Sequence, residues 1–261
     1  MSKHLKILTA EYLNEYSSKL NIDWFKVFNK LRTKNSYSKE DFEHYVKSSA
    51  TYSSNIEGNS IDFDTYLKNK QFKVKSKPKE MTEIDDLILA YNYAMKNKLN
   101  IKTFLECHKI LSNTILSLKS QKGKLRNQQV GIFSSGKIEY MAVESQYVKK
   151  EIDKLFFDIK ELISRELSQK EIFYYASMIH LMFEKIHPFM DGNGRAGRLL
   201  EKWFLSEKLG VNAWSIQSEE YYSKHITEYY KNIHIGYNYY ELKMDRCVPF
   251  LLMLPMALKN N

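Results

Sequence analysis

His187-Pro-Phe-Met-Asp-Gly-Asn-Gly-Arg-Ala-Gly-Arg198 sets a base, a carboxylate, three glycines and two arginines within reach of one another. Asp191-Gly-Asn-Gly194 is a turn by composition, because Gly and Asn tolerate backbone dihedrals that other residues avoid. Arg195 to Leu205 then shows helical apolar spacing, and Pro188 ends the helical pattern that arrives at His187. The stretch is therefore a junction between two helices. A glycine turn that opens a helix is an anion cradle, since its first N–H groups lack intrahelical partners and the helix dipole is positive there. His187 can take a proton from a hydroxyl near neutral pH, its ordinary pKa being about 6.5. Asp191 can hold a hard divalent cation, and Mg²⁺ usually takes only one or two protein carboxylates plus phosphate oxygens. Arg195 and Arg198, on one helical face, can clamp further oxygens with planar donor forks. Together these residues describe phosphoryl-type transfer, although the Gly-Lys-Ser/Thr ending of a P-loop is absent.

Outward from this junction the chain is almost wholly helical in pattern, so the expected fold class is all-α with one small β-hairpin. His4 to Leu20 carries Leu5, Leu8, Tyr12, Leu13 and Tyr16 on one face, and a short helix is expected at Trp24 to Leu31. Ser38 with Asp41 reads as an N-cap for a helix whose stripe runs Phe42, Val46, Ala50 and Ser53, stopping at Gly58. Glu57 is an anomaly on that stripe. It lies at a helix C-terminus, where the dipole disfavours an anion, so it needs a cation from elsewhere. Lys68 to Lys79 reads as a solvated connection, Thr82 with Asp85 as the cap of a helix through Met95, and Lys102 to Leu116 as another helix. Gln129 to Met141 holds two short apolar runs around Ser134-Ser-Gly-Lys137, a hairpin that lies over a site or offers an edge to an extended peptide. Ser145 to Arg165 is a long amphipathic helix, and Ser168 with Glu171 is a capping box for the helix that leads to His187. His180 on that helix reads as a hydrogen-bonded core histidine. Gly210 stops the site helix, and tyrosine-rich helical patterns follow at Ser218 to His234 and Glu241 to Leu254.

With 261 residues and 43% hydrophobic content the chain can bury a sizeable core. No apolar run of about 18 residues exists, and the N-terminus lacks a signal-type apolar core, so a soluble protein is expected and no membrane association. Two distant cysteines, Cys107 and Cys247, show no metal-ligand spacing and read as reduced thiols of a cytoplasmic protein. The net charge of +9 invites a nucleic-acid reading, but its lysines gather in the Lys68 to Lys79 stretch with only Phe72 as a stacking residue, which argues against one.

His187 to Arg198 resembles the Fic family motif, His-x-Phe-x-Asp/Glu-Gly-Asn-Gly-Arg-x-x-Arg, at all eight specified positions. The likeness extends to Gly123-Lys-Leu-Arg126 and the hairpin, covering about Lys39 to Leu209. It implies a Fic-fold helical bundle that transfers AMP from ATP to a Ser, Thr or Tyr hydroxyl of a target protein, or of itself. On that resemblance His187 would be the base and Asp191 would hold Mg²⁺ on the α- and β-phosphates. Phe189 would anchor the loop, Gly192, Asn193 and Gly194 would form the anion hole, and Arg195 and Arg198 would hold the outer phosphates. The hairpin would be the flap along which the target docks. Ser53-Ser-Asn-Ile-Glu57-Gly58 is similar to the family's inhibitory motif, Ser/Thr-x-x-x-Glu-Gly/Asn, in the subclass with an N-terminal inhibitory helix. It implies that Glu57 pairs with Arg198 and that Ser53 lines the nucleotide pocket. The expected organisation is an N-terminal helical region over 1–100 with the inhibitory helix at about 39–58, a Fic core over 101–210 with its flap at about 129–141 and loop at 187–198, and a C-terminal helical extension over 211–261. Transfer of phosphate or of another nucleotide stays open, as does a nucleotide-sensing regulatory or DNA-associated protein. A tyrosine-rich surface could support a homodimer.

Overall fold

The computed structural model describes residues 4–23, 38–72, 78–134 and 137–260. Along the chain run α1 (Leu13–Lys19), α2 (Lys39–Ile56), α3 (Phe63–Gln71), α4 (Lys79–Lys96), α5 (Ile101–Leu111), β1 (Gly131–Ser134), β2 (Lys137–Met141), α6 (Ser145–Ser164), α7 (Gln169–Ile186) and α8 (Asn193–Leu209). Shorter helices follow: α9 (Ser218–Lys224), α10 (Ile226–Ile233), α11 (Val248–Leu251) and α12 (Met253–Met256). The protein is mainly helical with one antiparallel hairpin, as its residue pattern predicts.

Helix α7 is the centre of the molecule. Every residue from Ile172 to Ile186 is buried, the signature of a helix covered on all faces. It lies against α6 on one side and α8 on the other. Its capping box forms as expected, the Ser168 N–H donating to Glu171 Oε2 at 2.8 Å. Residues from Leu8 to Leu258 join in one hydrophobic core, so the N-terminal, central and C-terminal segments stabilise one another by shared apolar burial. The capping box of α2 also forms, with the Ser38 N–H donating to Asp41 at 2.9 Å.

Several expected elements differ. The helix expected from His4 to Leu20 is confined to α1, because the backbone N–H groups of Lys6, Ile7 and Leu8 donate to the Asp158 carboxylate at 2.7, 2.8 and 2.9 Å. A buried acceptor in α6 competes with the helical ladder and wins. The Trp24 to Leu31 helix falls outside the described residues. Lys68 and Lys70 belong to the last turn of α3, where cations suit the helix dipole, and Lys70 pairs with Asp85 at 2.6 Å; residues 73–77 are outside those described. Asp85 also accepts the Tyr66 hydroxyl, and α4 starts earlier than Thr82, just after Pro78. Asn100, whose side chain accepts from Lys102 and Thr103, opens α5. The C-terminal patterns break into short pieces, at His225 between α9 and α10 and at Leu252 between α11 and α12, with Pro249 and Pro255 inside those last two pieces. Proline cannot donate to the helical ladder.

The hairpin pairs Gly131 with Met141 and Ile132 with Tyr140, then shifts register at a bulge before Phe133 pairs with Ile138. Two contacts fix it over the end of α7. The Tyr140 hydroxyl donates to the Lys185 carbonyl at 2.7 Å, and the Met141 N–H donates to the Tyr237 carbonyl at 2.8 Å, beside a parallel bridge to Asn238. The outer edge of β2 is thereby occupied at Met141.

Candidate active site

The loop between α7 and α8 is shaped by two left-handed residues. His187 closes α7 at φ +50°, the only non-glycine positive φ described, and its N–H still reaches the Phe183 carbonyl at 2.9 Å. Gly192 at φ +79° opens α8 and offers no side-chain cap. The first N–H groups of α8 are thus left for an outside anion. Three side chains lock the loop. Asn193 brackets Phe189, its Oδ1 accepting the Phe189 N–H at 2.8 Å and its Nδ2 donating to the Phe189 carbonyl at 3.0 Å. Arg126 donates through Nε to the His187 carbonyl at 2.8 Å and reaches the Val143, Gln128 and Ile186 carbonyls with its other nitrogens. Its own N–H donates to Pro188. His108 of α5 stacks on Phe189 with ring centroids 3.4 Å apart.

The tautomer of His108 follows from its partners. Nδ1 accepts the Gly123 N–H at 3.0 Å, so Nε2 carries the proton and donates to the Asp191 carbonyl, also at 3.0 Å. Burial lowers the His108 pKa to about 4, although the bond to Asp191 opposes this. A neutral ring at ordinary pH suits these bonds. Burial likewise lowers the His187 pKa to about 4. A neutral imidazole at pH 7 is a proton acceptor.

Asp191 stands exposed at the rim, with Oδ1 accepting the Gly192 N–H at 2.6 Å. No group of three or more His, Cys, Asp or Glu fit to hold a metal ion exists among the described residues. One hard carboxylate beside an anion cradle fits Mg²⁺, which fills its shell with phosphate and water oxygens.

Arg198 is wholly buried and fully engaged. Its Nε donates to Ser53 Oγ at 2.9 Å, Nη2 to the Ser53 carbonyl at 2.9 Å and to Glu57 Oε1 at 2.7 Å, and Nη1 to the Tyr229 hydroxyl at 3.2 Å. Glu57 arrives as the C-cap of α2, its side chain 32% exposed. Burial acts to raise its carboxyl pKa, but the charge and hydrogen bond of Arg198 outweigh this and lower it. The carboxylate lies directly on the start of α8, where a β-carbon at Gly194 would overlap Oε1. Glu57 therefore fills the mouth of the anion cradle as well as holding Arg198. Arg195 does not share this cluster of bonds and turns to Glu83 of α4, at 3.5 Å.

The helix that brings Glu57 here is held by bonds from two other helices, α8 and α10. Lys202 of α8 donates to Ser49 Oγ at 2.6 Å and pairs with buried Glu219, which also accepts from Tyr91. The Tyr230 hydroxyl donates to the Ile56 carbonyl at 2.7 Å. Behind Arg198, His180 bridges Tyr229 at 3.1 Å and Glu201 at 2.9 Å, in the hydrogen-bonded core setting expected for it. Sequence reading missed His108, Glu83, Tyr229 and Tyr230 as site neighbours. His108 alone left a signal, a polar residue on the buried face of α5 beside Phe104, Cys107 and Leu111.

Residues 98–205 match the model of the Fic/DOC family, a span that includes the whole loop but neither Ser53 nor Glu57. Similar solved structures include a Fic family protein from Desulfovibrio desulfuricans, at 19% identity and TM-score 0.75, covering 99% of this chain and 75% of that one. A Fic domain containing signaling protein from Bacteroides thetaiotaomicron is 17% identical at TM-score 0.65, over 90% of this chain and 95% of its own. Fic-1 from C. elegans is 15% identical at TM-score 0.62, over 96% of this chain and 67% of that one. These likenesses show a shared fold, and the Fic/DOC family match of residues 98–205 contains the whole loop from His187 to Arg198.

Proposed function

We propose that the protein is an autoinhibited adenylyltransferase, moving AMP from ATP to a Ser, Thr or Tyr hydroxyl of a target protein. One observation carries this reading: the Glu57 carboxylate occupies the N-terminus of α8 and binds Arg198 at 2.7 Å. A built-in anion sits where helix geometry favours a phosphate. In the released state the N–H groups of Asn193 and Gly194, that of Gly192 once it leaves Asp191, and the Arg198 guanidinium would receive phosphate oxygens, and Ser53 would line the nucleotide pocket. Arg195 adds positive charge once it leaves Glu83. Asp191 would hold Mg²⁺, which neutralises charge on the phosphates when bound. Neutral His187 takes the proton of the target hydroxyl.

The target segment would lie along β1, because the outer edge of β2 is already engaged at Met141 by residues 237–238. Exposed Ile132 and Ile138 offer that segment an apolar surface. No described helix is long and apolar enough to cross a membrane, and two buried free thiols, Cys107 and Cys247, suit a reducing cytoplasm. Incubating His187→Ala in a Glu57→Gly background with labelled ATP and Mg²⁺ tests the reading. Loss of labelling is expected, and persistent labelling would remove His187 from its role. Mass analysis of the modified protein separates added AMP from added phosphate or another nucleotide.

A further inference from the structure

The reading of His187 as base leaves one buried acid on the same helix without a part. Glu184 lies one turn before His187, its side chain 10% exposed, with Oε2 3.8 Å from His187 Nδ1. Neither Glu184 Oε1 nor His187 Nδ1 has a hydrogen-bond partner. The slot that admits the carboxyl is built by the neighbouring helix. A β-carbon at Gly197 of α8 would stand 2.6 Å from Glu184 Oε1, so any larger residue at 197 would push the acid out. His180 and Phe183 close the same slot, each within 3.2 Å of that β-carbon position.

We infer that Glu184 is a positioning residue for the transfer step, its carboxylate facing the Nδ1 edge of His187 and stabilising the imidazolium that forms during reaction. The inference rests on the adenylyl-transfer reading. Because Nδ1 is the buried nitrogen, the proton is taken at Nε2. The target O–H bond breaks, its oxygen bonds to the α-phosphorus of ATP, the α–β bridging P–O bond breaks and pyrophosphate leaves. His187 then carries a positive charge in a buried setting with a carboxylate beside it. Burial raises the Glu184 pKa and lowers that of His187 to about 4, so each charge alone is disfavoured and the pair together relieves both. The other charged or titratable groups facing the pair are His180 and Lys185 of α7, Glu57 at the end of α2, Arg198 of α8, Arg126 before the hairpin, Tyr140 of β2, and Tyr229 and Tyr230 of α10. Of these, only Glu57 is a carboxylate, and it is committed to Arg198.

The test compares Glu57→Gly with Glu57→Gly carrying Glu184→Gln or Glu184→Asp, using initial rates with labelled ATP from pH 5 to 9 and a thermal melt of each protein. Glu184→Gln keeps the shape but cannot ionise. It should lower kcat about tenfold or more, leave KM for ATP within about twofold, and move the acid limb of the profile to lower pH. The limb moves down because wild-type activity fails when the raised carboxyl takes a proton, whereas the glutamine variant fails only when His187 itself does. Glu184→Asp should recover part of the rate and restore the limb. A kcat within twofold of the parent, or a fall with the limb unmoved, overturns the inference. If the Glu57→Gly parent labels nothing, or labels equally well as His187→Ala, the adenylyl-transfer reading fails first and takes this one with it.

Discussion

Replacing Glu57 with glycine separates inhibition from folding, because the two should respond with opposite signs. Glu57 contributes one of four hydrogen bonds to a fully buried guanidinium. A hydrogen bond to a charged group contributes about 1.5–3 kcal/mol, and each 1.4 kcal/mol is about tenfold in an equilibrium. Two features pull the figure toward the lower half of that range: the carboxylate is 32% exposed, and Arg198 keeps both Ser53 and Tyr229. Transfer should therefore rise about ten- to thirtyfold. Removing the carboxylate from the start of α8 also removes its repulsion of an incoming phosphate, so KM for ATP should fall. Stability should move the other way by about 1–2 kcal/mol, since a buried cation loses its counter-ion. The assay pairs initial rates of labelled-ATP transfer with urea unfolding of the same preparations. Glu57→Gln refines it, keeping the bulk over Gly194 while removing the charge, and should give an intermediate rate. Transfer by Glu57→Gly no faster than wild type would refute the inhibitory reading. Higher activity with unchanged stability would refute the claim that the Arg198 pair holds the resting state together.

Tyr230→Phe removes the hydroxyl that caps the Ile56 carbonyl while leaving the ring, so the end of α2 should loosen. A bond of about 1 kcal/mol gives activation of about fivefold at most, read in the same transfer assay. Acid should destabilise the protein from about pH 6.5 downward. His108 and His187 have folded pKa values lowered to about 4, so between about 6.5 and 4 the unfolded chain binds more protons and stability falls with pH. Each histidine contributes up to about 3 kcal/mol over that window, and a urea midpoint that stays flat from pH 7 to 4.5 would contradict both shifts.

Much of the site was legible because its information is local. Pro188, Gly192 and the capping boxes act over a few residues, so the junction at His187 to Arg198 and the hairpin could be read from spacing and turn chemistry. Glu57 was legible as a misfit, an anion at the wrong end of a helix, and the family resemblance supplied its partner. What stayed hidden depends on contacts between distant segments. Asp158 takes the amides of Lys6 to Leu8 from about 150 residues away, and no periodicity of His4 to Leu20 reveals that competitor. Arg195 looks equivalent to Arg198 on a helical wheel, yet Glu83 of a different helix draws it aside. The parts played by Tyr229 and Tyr230 likewise depend on how the C-terminal segment returns to the site, which tyrosine content alone does not specify.

The pairing of Glu57 with Arg198 also orders events in time. The two residues are separated by 141 positions, with Glu57 first. At synthesis rates of about 5–20 residues per second, Glu57 is added to the chain roughly 7–30 s before Arg198. A nascent chain reading out in this direction holds Glu57 before the loop from His187 to Arg198 is complete. The segment that carries Glu57 is already synthesised when α8 folds, so on the inhibitory reading the protein would be born closed, and opening would be a separate, later event in the life of each molecule.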